Sequence, residues 1–542
     1  MGHPQFSVAD VHEAIAATRP DEICLVHRDR RLTWAQLTDR TRRFANHLIG
    51  QGLGCHVERD ALLGHESGQD HLAIYLHNCT EYLEAMLGSF KARVAPFNVN
   101  YRYVAEELLY LLTDSQATAI VVHSQFTPTL AEVLPQLPNL KVILQVPDAS
   151  GLPLLPGAVW YDDALAAASG NKPAVQWSPD DLYILYTGGT TGMPKGVLWR
   201  NADANVECFG GSKADTMDAV VAEASGGLKA LLAPPFMHGA GHWMSFRAWN
   251  TGGAVFIQHH TDHLDPDDIW GTIEREQLNF LLIVGDAFGR PLLDQLDRQS
   301  YDLSSLTVIL SGGAALSAPL KEEFLRHLPT VMIVDGLGSS EAGGQLSQVS
   351  AGGGATTGTF PISPGNHVLN DDLTRELPAG DPELGWLAKS GRLALGYFGD
   401  AAKTARTYPV VDGVRYAVPG DRARLRVDGI LELHGRDSVT INSGGEKIFA
   451  EEVEAAVKAH PGVYDCVVAG RPSERWGSEV VAIVRVREGY AVDDEALRTE
   501  AERHIARDKL PQAFVYVPEV LRSPSGKADY RWAKQTAIEA AG

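Results

Sequence analysis

Tyr183-Ile-Leu-Tyr-Thr-Gly-Gly-Thr-Thr-Gly-Met-Pro-Lys-Gly-Val197 sets four glycines, three threonines and one lysine into the ten residues after an apolar run, Thr187 to Gly196. Glycine lets successive backbone N–H groups turn onto one concave face and form an anion nest. Threonine hydroxyls add donors and Lys195 adds a point charge, so the stretch suits a polyphosphate better than a single carboxylate. It is not a Walker A loop, because Gly196 follows Lys195 where Ser or Thr is needed, and it is not a G-x-G-x-x-G turn. A plain glycine-rich surface turn is the competing reading. The apolar strand before it and the density of donors weigh against that.

Outward from this loop, roughly the first 430 residues alternate strand and helix patterns, the signature of an α/β architecture. Thr33 to Gln51 reads as an amphipathic helix, with a Thr33 cap, apolar Leu37, Phe44, Ala45 and Leu48, and Gly52 as a stop. The runs Ala119–Val122, Leu182–Tyr186, Ala254–Ile257, Leu281–Val284, Val308–Leu310 and Val331–Val334 read as buried strands. Four of the six are followed directly by Thr187, Gly285, Ser311 or Asp335, where ligand loops sit in open α/β sheets. After Arg436 the pattern changes: helices over Glu451–His460 and Asp493–Ala506 and strands Asp465–Ala469 and Val480–Val486 predict a small α+β domain. The expected division is therefore 1–436 and 437–542. The polar run Gly54–Asp70 and the glycine-rich Ala351–Gly358 read as loops, and no internal repeat is evident.

The chain carries 47 Lys plus Arg against 68 Asp plus Glu, a net charge of −21 over 542 residues, with 44% apolar and 21% charged residues. That is globular composition, and the acidic balance argues against a duplex nucleic-acid or anionic-membrane binder. An anionic small ligand stays open, since a pocket can be locally positive. The five cysteines are scattered, odd in number and without a C-x-x-C pair, which fits a reducing cytosol better than a disulfide framework or zinc ribbon. No apolar run approaches the roughly 20 residues of a membrane span. Phe6 stands where a myristoylation signal needs Ser or Thr, and no basic-then-apolar leader is present, so a soluble cytoplasmic protein is expected.

Thr187–Gly196 resembles the ATP/pyrophosphate loop of the adenylate-forming acyl-CoA synthetases, relatives of firefly luciferase and of peptide-synthetase adenylation domains. That family usually reads T-S-G-[ST]-T-G-x-P-K-G, and Gly188 is the departure. Further segments carry the same resemblance: Pro234–Gly239, Ser311–Ala315, Asp335-Gly-Leu-Gly-Ser-Ser-Glu341, Tyr416–Asp421, Gly435-Arg436, Ser443–Lys447 and Arg522-Ser-Pro-Ser-Gly-Lys527. It implies a large N-terminal lobe of stacked α/β subdomains with a β-barrel-like subdomain, and a small mobile α+β C-terminal domain. It also implies ATP, Mg2+ and coenzyme A.

By that resemblance, Thr187, Gly188, Gly189, Thr190, Thr191, Gly192 and Lys195 hold phosphates, with Thr190 and Lys195 also catalytic. Gly312, Gly313 and Ala314 lie against adenine. Gly338, Ser339 and Ser340 flank the phosphates, and Glu341 ligates Mg2+. Asp421 and Arg436 take the ribose, Gly444 and Gly445 line the pantetheine path of coenzyme A, and Lys527 is the catalytic lysine. His238 flanks the acyl and adenylate groups. The acyl pocket is expected from His238, Gly239, Gly241, His242, Trp243, Asp286, Arg290 and Gly343, with the glycines at 239, 241 and 343 leaving room for a bulky or long tail. His238 and His242 also have i, i+4 metal spacing, but with no third ligand evident zinc is the weaker reading. Leu337 replaces the usual Tyr, Pro419 a Thr, and Ser438 the usual hinge Asp or Lys.

Phe97–Val104, Gly285-Asp-Ala-Phe-Gly-Arg-Pro291, Ile441–Lys447 and Lys527–Lys534 resemble the actinobacterial members of the family, some of which activate sterol side-chain acids. The expected reaction is therefore two-step: a fatty or steroid side-chain carboxylic acid becomes an acyl-AMP, then a coenzyme A thioester after the small domain rotates. Loading of a carrier protein and a non-catalytic nucleotide-binding relative are the alternatives. A homodimer is compatible with the resemblance.

Overall fold

The computed structural model describes residues 5–187, 193–352, 354–443, 446–473 and 477–541. Of the expected site, Gly188, Gly189, Thr190, Thr191, Gly192, Gly444 and Gly445 lie outside the described residues.

Two α/β layers make most of the large lobe. In the first, parallel strands run in the order Ala95–Asn98, His71–Tyr75, Ala117–His123, Val142–Val146, Val159–Trp160. Their β-branched and small apolar residues are covered on both faces, as parallel strands require. The second has eight strands, in the order Gly343–Ser350, Met332–Ser339, Val308–Gly312, Phe280–Ile283, Lys229–Leu232, Ala254–Ile257, Ile23–His27, Arg30–Thr33. Its centre is parallel and both outer pairs are antiparallel. Helices Trp34–Gly50 and Thr80–Ala92 pack against each other. One core runs from Leu72 and Ile74 of the first sheet through Phe44, Leu83 and Phe90 to Leu25, Leu232 and Val255 of the second. Thr33 caps the first helix with a full capping box to Gln36.

A seven-stranded antiparallel sheet built around Gly385–Ser390, Asp421–Leu425 and Ile430–Arg436 forms the third unit. Its last strand ends at Arg436, and the turn Asp437–Val439 leads into the small lobe. That lobe has a hairpin (Thr440–Ser443 with Glu446–Phe449), helix Ala450–Lys458 and a sheet of Val463–Ser473, Gly477–Val486 and Ala513–Tyr516. Helices Asp494–Ala501 and Tyr530–Glu539 complete it. Ile448, Val453, Val468, Val484 and Leu497 give it a core of its own.

Two sequence expectations shift. The strand expected to end at Val334 continues to Ser339, because Asp335–Ser339 pairs with Gly343–Ser350; the motif ending at Glu341 is thus half strand and half turn. The motif's Lys195 begins a strand that returns antiparallel to Leu182–Thr187, with Thr187 opposite Lys195, so the lysine sits on regular strand and not on a loop.

Candidate active site

The site gathers at the C-terminal ends of the parallel strands. Strands Val308–Gly312 and Met332–Ser339 place Gly312 beside Gly336 in register, and Gly313 follows at φ +88°. That left-handed backbone favours glycine. The Lys527 Cε lies 3.7 Å from where a Gly313 Cβ would stand, so the last lysine of the motif set reaches the strand ends of the large lobe. Ser311 Oγ accepts the Gly285 N–H at 3.0 Å, tying this loop to the next helix.

The turn that presents Lys527 is braced from behind. Arg522 grips Asp465 through two nitrogens at 2.7 and 2.6 Å, and its third nitrogen donates to the Gly526 carbonyl at 3.0 Å. The Ser523 N–H closes the turn on the Lys527 carbonyl at 2.8 Å. Lys527 itself stays open to solvent in the cleft. Desolvation by the cleft walls and the charge of Arg436 lower its pKa, against the opposing pull of Glu341 and Asp421. Those four groups therefore share one electrostatic neighbourhood.

Asp421 and Arg436 face each other across an antiparallel pair, with Arg436 Nε donating to Asp421 Oδ1 at 3.3 Å. Burial raises the Asp421 pKa against the pull of Arg436. A carboxylate held this way can accept two hydrogen bonds from a vicinal diol. Lys195 donates to Asp114 Oδ1 at 3.2 Å, and Tyr186 Oη donates to the other oxygen at 2.9 Å. Burial works to lower the Lys195 pKa, and Asp114 outweighs it, so Lys195 is held charged opposite Thr187.

Glu341 Oε1 accepts a 2.7 Å hydrogen bond from Tyr397 Oη. Tyr397 is opposite Val197 on a strand added to the phosphate hairpin, and the Lys403 ammonium sits 3.9 Å from its ring centroid. No spacing pattern marks this tyrosine in the sequence; only the strand pairing brings it to Glu341. Replacing Tyr397 by Phe is expected to lower turnover about tenfold by loosening the carboxylate. Rates across a Mg2+ titration check it, and an unchanged Mg2+ midpoint would count against the role. Trp199 Nε1 donates to the Ser340 carbonyl at 2.8 Å, and Ser339 Oγ accepts the Ala342 N–H at 3.1 Å. Gly338 is needed for close approach: a Cβ there would stand 2.6 Å from the Gly343 carbonyl.

His238 precedes helix Gly239–Asn250, and its Nε2 is buried without a hydrogen-bond partner among the described residues. Burial, then Lys527, push its pKa down to about 3, so it is a neutral imidazole. His242 has both ring nitrogens engaged, by the Phe236 carbonyl at 2.6 Å and by Tyr183 Oη, which leaves none for zinc. Trp243 Nε1 donates to the same Tyr183 oxygen at 2.8 Å.

The glycines expected to leave room do not. A Cβ at Gly241 would lie 2.8 Å from the Pro235 carbonyl, and one at Gly343 would lie 2.8 Å from the Glu207 carbonyl. At Gly239 it would meet Trp243 and Leu185 at 3.1 and 3.2 Å. These glycines permit close packing, so they do not enlarge the acyl pocket. Asp286 and Arg290 also have partners elsewhere. Asp286 is bonded by Ser317 and by Lys458 of the small lobe, and Arg290 lies 5.8 Å from the Tyr464 ring centroid. Both belong to the contact between the lobes.

A titratable group at the hinge was not foreseen. Glu451 Oε2 is buried, has no hydrogen-bond partner among the described residues, and would lie 2.6 Å from a Cβ at Gly435. Burial and then the Glu454 charge push its pKa up to about 7; Asp421 adds to this, the Arg436 backbone opposes it, and Tyr530 is also near. The folded state therefore holds a proton that an ordinary carboxyl, near 4.3, would release. Its stabilising contribution is present at low pH and is lost as pH rises through about 7. Glu451→Gln is expected to raise Tm at pH 8 relative to the parent, with the gap narrowing as pH falls below about 7 and closing near the ordinary carboxyl value of about 4.3. A gap independent of pH would contradict the assignment.

Among the described residues no helix is long and apolar enough to cross a membrane. Comparison with known proteins matches residues 12–398 to the family model "AMP-binding enzyme" and residues 452–527 to "AMP-binding enzyme C-terminal domain". The chain is 52% identical to the medium-chain acyl-CoA ligase Mig of Mycobacterium avium, covering 98% of each chain. It is 40% identical to a medium/long-chain-fatty-acid–CoA/3-oxocholest-4-en-26-oate–CoA ligase of Mycolicibacterium smegmatis, covering 98% of this chain and 97% of the relative. The fold is similar to that of the anthranilate CoA ligase AuaEII in complex with anthranoyl-AMP, with a TM-score of 0.81, 20% identity, and coverage of 99% and 98%.

Proposed function

We propose, for a chain that belongs to the AMP-binding enzyme family, the activity of an ATP-dependent acid:CoA ligase acting on a fatty acid of medium length. The observation that carries it is Lys527 reaching Gly313, with Glu341, Asp421 and Arg436 in the same electrostatic neighbourhood. The relative at 52% identity, named a medium-chain ligase, supports the chain length.

A carboxylate is repelled by the α-phosphate it must attack, so the first step needs neutralised approach and in-line positioning. Lys527 bridges the carboxylate and the α-phosphate. Asp421 and Arg436 hold the ribose, and Gly312, Gly313 and Ala314 admit the flat base. Lys195 leaves Asp114 for the β- and γ-phosphates. His238, neutral, lines the acyl side without adding charge. The residues present fit Mg2+: Glu341 is a hard oxygen donor with one oxygen oriented by Tyr397. Bound there, Mg2+ supplies charge neutralisation on the phosphates. In the second step the small lobe turns about the 436/437 hinge, Lys527 withdraws, and the thiol of coenzyme A attacks the acyl carbon and displaces AMP. A cytoplasmic location fits the scattered cysteines, four of them buried and none paired.

Pyrophosphate release with mass detection of the thioester, run over fatty, aromatic and steroid side-chain acids, tests this reading. A thioester of an acid of about eight to twelve carbons is expected. Preference for a steroid side-chain acid, named in the 40%-identical relative, would move the assignment to that class. Acyl-AMP that never reaches coenzyme A would favour a carrier-protein acceptor.

A further inference from the structure

We propose that the ion pair between Lys458 of the small lobe and Asp286 of the large lobe is the positioning contact that keeps Lys527 at the adenylation site. The proposal rests on the two-step reading above and names residues of this chain that hold its first step in place.

Lys458 Nζ donates to Asp286 Oδ2 at 2.8 Å, with the two side chains only 13% and 9% exposed. The other Asp286 oxygen accepts the Ser317 N–H at 2.7 Å, and the Asp286 N–H donates to the Ala315 carbonyl at 3.2 Å. Asp286 therefore ties the chain just beyond the Gly312-Gly313 loop to the small lobe. Burial works to raise its pKa and Lys458 outweighs that, so the carboxylate stays ionised.

Further contacts of the small lobe land on the same helix, Gly285–Arg298. Tyr464 Oη donates to Asp294 at 3.2 Å, and Arg290 lies over the Tyr464 ring. At the start of the helix, the Val284 carbonyl and Ala287 Cβ lie 3.1 and 3.3 Å from where a Gly526 Cβ would stand, one residue before Lys527. Within the small lobe, Lys458 is electrostatically linked to Arg522 and Asp465, the pair that braces the Lys527 turn. One helix thus seats both the ion pair and the lysine turn.

A largely buried charge that loses its partner is left uncompensated, so this pair favours the lobe arrangement in which it forms. Lobe rotation separates the partners. A contact made in one of two arrangements shifts the balance between them, and so acts oppositely on the two half-reactions. A merely structural ion pair would lower both together.

The test separates the half-reactions in the full-length protein. Asp286→Asn and Lys458→Met are expected to lower acyl-AMP formation about 10- to 100-fold. Thioester formation from preformed acyl-AMP should hold or rise, and Lys458→Arg should restore adenylation to within a few-fold. Equal losses in both half-reactions, or unchanged adenylation, would overturn the proposal. A readout independent of turnover uses spin labels at Gln299→Cys and Arg503→Cys, in a Cys55→Ser background that removes the half-buried thiol. Asp286→Asn should move population out of the parent inter-lobe distance. If the parent forms no thioester from any acid, the functional reading fails; the latch still fails separately if Asp286→Asn leaves the distance distribution unchanged.

Discussion

Replacing Lys527 by alanine is expected to lower acyl-AMP formation by about 10²- to 10³-fold while leaving conversion of preformed acyl-AMP to the thioester within a few-fold of the parent. The cation reaches from the small lobe to the strand ends, alongside Gly313. It answers a specific difficulty, two anions brought into bonding distance, and that difficulty exists only in the first step. Its turn is held by Arg522, Asp465 and Ser523, so the side chain is presented with little freedom and the loss on truncation is one of positioned charge. Lys527→Arg keeps the charge on a longer planar group and should recover only part of the rate. Pyrophosphate release reads the first half-reaction, and mass detection of the thioester from supplied acyl-AMP reads the second. Equal loss in both would mean that the lysine acts in each step, and the two-arrangement account would fall.

Glu341→Gln is the second large effect. The change keeps the shape and the acceptor for Tyr397 Oη but removes the charge. A neutral amide is a poor ligand for a hard divalent cation, so adenylation should fall about 100-fold and require a higher Mg2+ concentration. The loss should exceed that of Tyr397→Phe, which leaves the charge and only loosens it. A Mg2+ titration of pyrophosphate release distinguishes the two. If Glu341→Gln leaves the Mg2+ midpoint unmoved, the cation is held elsewhere.

How much of this could be read before the structure depends on whether the signal was local. The proposed phosphate loop could be picked out because its donors lie within one decapeptide, and the structure adds that Lys195 leans on Asp114, a partner more than eighty residues earlier. The Thr33 cap and the alternating strands were legible for the same reason. Tyr397 was not, since a single tyrosine in a turn-rich stretch reaches Glu341 only through strand pairing with the hairpin. Asp286 looked like a pocket residue because its segment matches a family pattern; its partner Lys458 is 172 residues away. Glycines 239, 241 and 343 show a different limit. Sequence cannot distinguish a glycine that leaves space from one demanded by packing: a backbone carbonyl lies 2.8 Å from the missing Cβ at 241 and 343, and the Trp243 and Leu185 side chains lie 3.1 and 3.2 Å from it at 239.

The opening balance of charge also takes a sharper meaning. A net charge of −21 is at odds with three anionic substrates only if surface charge did the binding. In the structure Lys195, Arg436 and Lys527 are placed singly at the cleft, each beside a carboxylate or within its field. The acidic exterior governs solubility and partners.

The most direct measurement of the central claim is the fate of label from a fatty acid carrying oxygen-18 in its carboxylate, turned over once with ATP and coenzyme A. Attack on the α-phosphorus and later expulsion by the thiol leave one carboxylate oxygen on the nucleotide. The account predicts AMP bearing a single oxygen-18 and pyrophosphate bearing none. Unlabelled AMP, or ADP with labelled inorganic phosphate, would contradict it.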